Sequence, residues 1–116
     1  MEATTAVLVR AKERLDRLAL YPEPVRTERV RVFVAPLLFR VPGLRRYRGY
    51  ALWRTILLRQ APAEGGADDL VTHELCHVWQ MQHRPWAAMW AWLRYRYADN
   101  PFEAEARRAV AETRPG

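Results

Sequence analysis

Hydrophobic positions in the first part of the chain repeat with the period of a helix. Val7, Ala11, Leu15 and Leu18 are three or four residues apart, and charged residues occupy many positions between them. Side chains at this spacing lie on one face of an α-helix. The pattern predicts an amphipathic N-terminal helix that ends before Pro22, because proline lacks the N–H that would continue it.

The next part of the chain has the alternation and the β-branched composition of strands. Residues 30–35, Val-Arg-Val-Phe-Val-Ala, predict a strand, and residues 37–41 are a second extended candidate. A proline–glycine pair then indicates a turn, and further strands are expected at 47–50 and 55–58. We therefore expect a short, twisted sheet of three to four mostly antiparallel strands.

Helical spacing returns after a loop rich in glycine. The segment from about residue 68 to residue 82 is predicted to be a helix, with Asp68 or Asp69 as its N-cap. A connecting helix is expected after Pro85. Its apolar stripe consists of Trp86, Met89, Trp90, Leu93 and Tyr97. We interpret this stripe as core packing.

A strong helix-start signal precedes the final segment. Asn100 has a capping side chain, Pro101 suits the first helical position, and the helix is expected to run to about Thr113. The elements therefore follow the order helix, short sheet, and then three helices. This order predicts an α+β fold in a single domain over residues 1–116.

Composition excludes several classes of protein. Hydrophobic residues make up 50% of the chain, which is typical of a globular protein. No apolar run approaches the roughly 20 residues that a membrane span needs, and the N-terminus lacks the features of a secretory signal. Cys76 is the only cysteine, so an internal disulfide is excluded and the expected location is the cytoplasm.

The chain is basic, with a formal net charge of +6, and all of its basic residues except Lys12 are arginines. The densest basic cluster also contains tyrosines and comprises Arg40, Arg45, Arg46, Tyr47, Arg48 and Tyr50. A solvated basic surface is the favoured interpretation, and nucleic acid is the less favoured partner.

Residues 73–77 read His-Glu-Leu-Cys-His within an otherwise apolar run. On a helix, His73 and His77 lie one turn apart on the same face, so they can bind one metal ion together. Glu74 is rotated by about 100° from His73, so it reaches a water beside the metal rather than the metal itself. This pattern indicates the core of a zinc hydrolase. Cys76 is expected to be buried rather than to bind the metal.

Catalytic zinc usually takes three protein ligands, so a third one is needed. His83 follows His77 by six residues. If the helix continues through Gln80, His83 points away from the metal. The other candidates are Glu103 and Glu105, which are about 200° apart on a helix, and periodicity alone does not choose between them.

The array His-Glu-x-x-His, followed about 25 to 30 residues later by Asn-Pro-Phe-Glu-x-Glu-Ala, resembles the gluzincins, the thermolysin-type clan. It is most similar to their very small members, the minigluzincins. The resemblance covers roughly residues 30–113. In this family a small residue follows the zinc glutamate by three positions, which matches Glu103 with Ala106 and not Glu105 with Arg108.

The resemblance implies one zinc ion per chain, bound by His73, His77 and Glu103, with Glu74 as the general base. It also implies hydrolysis of peptides or unfolded protein chains, with the substrate adding to an edge strand, for which we expect residues 56–59. Many members carry an acidic residue or a tyrosine where this chain has Arg107.

Between the two ligand helices, four residues are candidate donors to an oxyanion, namely Arg94, Tyr95, Arg96 and Tyr97. A weaker resemblance links the motif to SprT-like zinc proteins, whose third ligand is a histidine. That resemblance would favour His83 as the third ligand here. The sequence thus predicts a zinc-dependent metalloendopeptidase. The alternative is a SprT-like or nucleic-acid-associated zinc module with little or no peptidase activity.

Overall fold

The computed structural model describes residues 2–42, 44–45, 47–62, 67–95 and 99–114, with backbone alone at 2, 3 and 52. In these residues the chain forms four α-helices, a three-stranded sheet and a short 3₁₀ helix. In chain order the elements are α1 (Glu2–Leu15), β1 (Arg31–Val34), the 3₁₀ helix (Leu38–Arg40), β2 (Gly49–Leu52), β3 (Thr55–Leu58), α2 (Asp68–His83), α3 (Pro85–Arg94) and α4 (Pro101–Thr113). The predicted α+β class is confirmed.

The sheet is mixed, with the order β1-β3-β2. Strand β1 runs parallel to β3, and β2 pairs antiparallel with β3. The expectation of mostly antiparallel strands is therefore wrong for one of the two pairings. The expectation that residues 56–59 form an edge is also wrong, because β3 lies between the other two strands. The chain returns through β2 before it forms β3, which leaves β2 at an edge.

Residues 37–41, expected to be extended, instead contain the 3₁₀ helix. Pro36 has no N–H with which to prolong the pairing of β1. The N–H of Arg40 bonds to the carbonyl of Leu37, and the N–H of Val41 bonds to that of Leu38. This turn buries Phe39 completely. The segment therefore forms a turn that buries a large ring, although its sequence favours an extended conformation.

Helix α2 forms the centre of the fold, where it packs against α1, α4 and the sheet. The apolar face predicted for the first helix is confirmed, since Val7, Ala11 and Leu15 are fully buried. Strand β2 approaches α2 closely at Gly49, where an added Cβ would lie 3.2 Å from Leu70 Cδ1. The residues of α2 that face the core are Val71, Leu75, Cys76, Val78 and Trp79.

The two helix starts differ in how well the sequence predicts them. Asn100 caps α4 as expected, and its side chain accepts a hydrogen bond of 2.9 Å from the N–H of Phe102. Helix α2 has Ala67 at the N-cap position, so neither aspartate is the cap. Asp68 and Asp69 lie in the first turn instead, where they pair with Arg10 and Arg14 of α1. Pairing with arginine replaces the capping role.

The apolar stripe of α3 is not core. Trp86, Trp90 and Leu93 are 81%, 66% and 73% exposed, and the small Ala91 is the buried residue. Among the elements that the structure describes, helix α3 packs closely against α2 and α4, and Ala91 permits that close approach. Tyr97 lies outside the described residues. No helix in the described part of the chain combines the length and the apolar character that crossing a membrane requires.

Candidate metal centre

Two helices bring three predicted ligands together. Helix α2 presents His73 and His77 one turn apart, and α4 brings Glu103 against them. Glu103 Oε1 lies 2.8 Å from Nε2 of His73 and 2.6 Å from Nε2 of His77. The two Nε2 atoms are 3.2 Å apart. A single carboxylate oxygen therefore meets both imidazoles at one point.

This group can hold a metal ion. One ligand atom from each of His73, His77 and Glu103 lies within 4.8 Å of the other two. Two imidazole nitrogens and a carboxylate oxygen are a donor set that suits several divalent transition metals. Three protein ligands leave a coordination position free for water or substrate.

The electrostatics of the group favour a cation. Burial by itself would raise the pKa of Glu103, but the hydrogen bonds with His73 and His77 lower it to about 2. Burial by itself would lower the pKa of His77, but the Glu103 carboxylate raises it. The carboxylate thus stays ionised and attracts positive charge to the point where the three side chains meet.

A second layer of hydrogen bonds orients His77. The Nδ1–H of His77 donates to Oε1 of the buried Gln80 over 2.8 Å. The amide of Gln80 donates to the carbonyl of Phe102 at 2.9 Å and to Oε1 of Glu105 at 3.0 Å. Glu105 also accepts a hydrogen bond of 2.6 Å from the hydroxyl of Tyr21. Sequence analysis missed this role, although Gln80 lies three residues after His77 on the same helix face.

Glu74 has the environment of a base. Its side chain is buried yet lines the cleft beside the histidines, and among the described residues it has no hydrogen-bond partner. Burial raises the pKa of Glu74, and the nearby His77 and His73 oppose that rise. Burial thereby makes the carboxylate a stronger proton acceptor than an exposed glutamate.

The competing ligand candidates have other surroundings. Helix α2 continues through Gln80, and the ring of His83 stacks on Tyr21 with centroids 5.3 Å apart. His83 is not part of the ligand group. Glu105 is held by Gln80 and Tyr21. Cys76 is buried as expected, and burial raises the pKa of its thiol.

The three ligands lie at the floor of an open cleft of about 600 Å³. One wall comes from β2 and its flanks, including Arg48, Tyr50 and the turn residue Trp53. The opposite wall comes from α3 and includes Met89 and Trp92. Trp53 has a φ of 60°, a backbone conformation that is uncommon for a bulky residue.

Among the four candidate oxyanion donors, Tyr95 lines the cleft. Arg94 is exposed in the last turn of α3. Arg96 and Tyr97 lie outside the described residues, as does Arg46 of the basic cluster. Tyr50 also lines the cleft, and its ring packs edge-on against that of Tyr47, with centroids 5.9 Å apart.

Comparisons of the chain with known protein families, with curated proteins and with solved structures find no significant match.

Proposed function

We propose that this protein is a zinc-dependent metalloendopeptidase of the gluzincin type. The observation that supports the proposal most directly is the meeting of Glu103 Oε1 with the Nε2 atoms of both motif histidines. Glu74 lies beside that point in the cleft and is unpaired among the described residues. This placement of Glu74 beside the three side chains supports a hydrolase, because it agrees with what the motif predicts.

A bound zinc ion would supply a Lewis acid and a water of lowered pKa. His73, His77 and Glu103 would hold the ion, and Gln80 would keep His77 oriented. Glu74 would take a proton from the attacking water and deliver it to the leaving amine. Its burial favours this task, because a raised pKa brings a carboxylate closer to the working pH.

The substrate is proposed to be an extended peptide or an unfolded chain. Strand β2 pairs with β3 on one side and lines the cleft on the other. An edge strand offers unpaired N–H and C=O groups to an added peptide. The apolar walls that contain Tyr50, Met81 and Trp92 suit hydrophobic side chains of such a peptide.

Metal analysis and peptide cleavage by the zinc-loaded protein test the proposal. We expect one zinc per chain in the wild type and none in the His73→Ala/His77→Ala double variant, whose zinc-dependent thermal stabilisation should also disappear. Glu74→Gln should keep zinc and lose at least about 100-fold in cleavage rate. Glu112→Gln, an exposed change on α4, is the matched control and should keep both.

Full zinc occupancy in the double histidine variant would reject the ligand assignment. Cleavage that depends on zinc and persists within a few-fold in Glu74→Gln would remove Glu74 from the mechanism. Each variant must retain the wild-type circular dichroism spectrum, so that misfolding is not mistaken for either result.

The second candidate is a nucleic-acid-associated zinc module. The observation in its favour is the basic wall of the cleft, where Arg48 adjoins Tyr47 and Tyr50. Binding to DNA that weakens steeply with salt, without turnover of any peptide, would support this candidate over the peptidase.

A further inference from the structure

Helix α3 presents a continuous apolar arc to solvent. At about 100° per residue, its exposed Trp86, Trp90 and Leu93 lie within about 60° of one another. Met89 and Trp92 continue the arc to the cleft, and both line its wall. No polar residue of α3 interrupts this path. The apolar wall of the cleft therefore extends onto the outer surface of the molecule.

An exposed surface of this kind indicates a site of interaction. Single exposed apolar side chains are ordinary, but a contiguous patch of large ones marks a site of interaction. Tryptophan has an apolar ring system with one N–H donor, so it suits a boundary at which one side is apolar and the other is wet.

The surroundings of the arc are cationic. Arg84 and Arg94 flank α3 at its two ends, and Arg48 lines the facing wall of the cleft. Neither 47–53 nor 84–95 contains an acidic residue. Among the described residues, the ion pairs that arginine and lysine form involve other side chains, on α1 and at Arg114. Helix α3 and the facing wall of the cleft therefore combine tryptophans with arginines that have no acidic partner in the described part of the chain.

We propose that α3 and the mouth of the cleft dock on the surface of an anionic lipid bilayer. A helix with one apolar face and basic flanks lies in the plane of the membrane interface. Its tryptophans enter the headgroup boundary, and its arginines are attracted to anionic lipids. The cleft then opens toward chain segments at the membrane surface. This docking does not depend on whether the site cleaves peptides.

The arc fits two other occupants less well. Bases of a nucleic acid stack on aromatic rings, and the arc also contains Leu93 and Met89, whose side chains have no ring. A second copy of the chain, docked through the same face about a two-fold axis, would bring the arginines of both rims together. An anionic bilayer satisfies the apolar and the cationic parts of the surface at once.

Co-sedimentation of the full chain with lipid vesicles tests this inference. The wild type should bind phosphatidylcholine vesicles that contain phosphatidylglycerol, and salt should weaken the binding. The triple variant Trp86→Ser/Trp90→Ser/Leu93→Ser should bind at least about 10-fold more weakly, because apolar insertion is lost. The matched control Val9→Ser alters an exposed position on α1 and should bind as the wild type does.

A second pair of variants separates oriented docking from attraction by net charge. Arg48→Gln/Arg94→Gln should weaken binding to anionic vesicles. Arg107→Gln/Arg108→Gln changes the net charge equally on exposed positions of α4 and should have little effect. An equal loss in both pairs would overturn the proposal, since the attraction would then have no preferred face.

Quenching of wild-type tryptophan fluorescence by brominated lipid gives a readout that needs no variant. Strong quenching supports insertion of the face that carries α3 and the exposed Trp53, because three of the five tryptophans lie on α3. Absence of vesicle binding at low salt, or unchanged binding by the folded triple variant, would overturn the inference. The inference would also be overturned if the protein does not bind vesicles but uses the three apolar side chains to bind single-stranded DNA or to form a dimer.

Discussion

The side-chain carbonyl of Gln80 accepts a hydrogen bond from Nδ1 of His77 over 2.8 Å. Because the Gln80 amide nitrogen donates to Phe102 and Glu105, its carbonyl must face the imidazole. With its Nδ1–H bonded to Gln80, His77 presents Nε2 to Glu103. In the neutral imidazole, Nε2 is then the nitrogen whose lone pair would be free for a metal ion. Such supporting contacts commonly decide how well a histidine binds a metal.

Replacing Gln80 should weaken metal binding without removing a ligand. We expect Gln80→Leu to lower zinc affinity by about 10- to 100-fold, because His77 loses the acceptor that fixes its orientation. Competition with a chelator of known affinity measures the change. Gln82→Leu, on the same helix and bonded to the backbone of Arg26 instead, should keep wild-type affinity. An unchanged affinity in Gln80→Leu would contradict the orienting role.

His83→Phe should leave metal binding intact. The Nε2 atom of His83 is buried without a hydrogen-bond partner among the described residues, and the ring stacks on Tyr21. Phenylalanine keeps the stack and removes the unsatisfied polar atom, so the free energy of unfolding should stay equal or rise slightly. Zinc titration and urea unfolding test this. Loss of stoichiometric zinc would instead support the SprT-like assignment of His83.

Arg14 ties three helices together. Its guanidinium is buried, and it donates to Asp69 on α2 and to Thr113 and the carbonyl of Val110 on α4. Arg14→Met should lower the free energy of unfolding by about 2 to 4 kcal/mol, since these acceptors lose their donor. Arg10→Met breaks the more exposed pair with Asp68 and should cost at most about 1 kcal/mol. Equal costs in urea unfolding would contradict the difference in burial.

Asp69 should make folding of the metal-free protein sensitive to acid. Burial would raise the pKa of Asp69, but hydrogen bonds from Arg14 and Arg114 bring it below its ordinary value of 3.8. Because the pKa is lower in the folded state, the unfolded chain binds this proton more readily. The contribution of Asp69 to the free energy of unfolding is therefore fully present above pH 3.8 and is lost as the pH drops through the lowered pKa. Urea unfolding over this range should show a shallower decline in Asp69→Asn. An identical decline in variant and wild type would refute the contribution.

The features that sequence analysis predicts are those with a local cause. The apolar spacing of Val7, Ala11 and Leu15 defines α1, and the pairing of Asn100 with Pro101 defines the start of α4. The one-turn separation of His73 and His77 follows from helix geometry alone. None of these requires knowledge of a distant contact.

The features it fails to predict depend on contacts between distant segments. The central position of β3 follows from its pairing with both β1 and β2, which no local pattern encodes. Periodicity does not separate Glu103 from Glu105, because only the packing of α4 against α2 decides which one meets the histidines. The stripe of α3 has core periodicity but too few neighbouring elements to cover it.

A metal ion at this site would also act as a crosslink. His77 and Glu103 are 26 residues apart in sequence, and α3 lies entirely within that interval. Joining the two ends through one ion closes a loop in the folded state only, because the ion dissociates when the chain unfolds. The ion would therefore stabilise the fold through its own binding free energy, unlike a disulfide, which restricts the unfolded chain. Chelation would remove that link between the helices before and after α3, so we expect the loss of one ion to loosen the wall of the cleft as well as its floor.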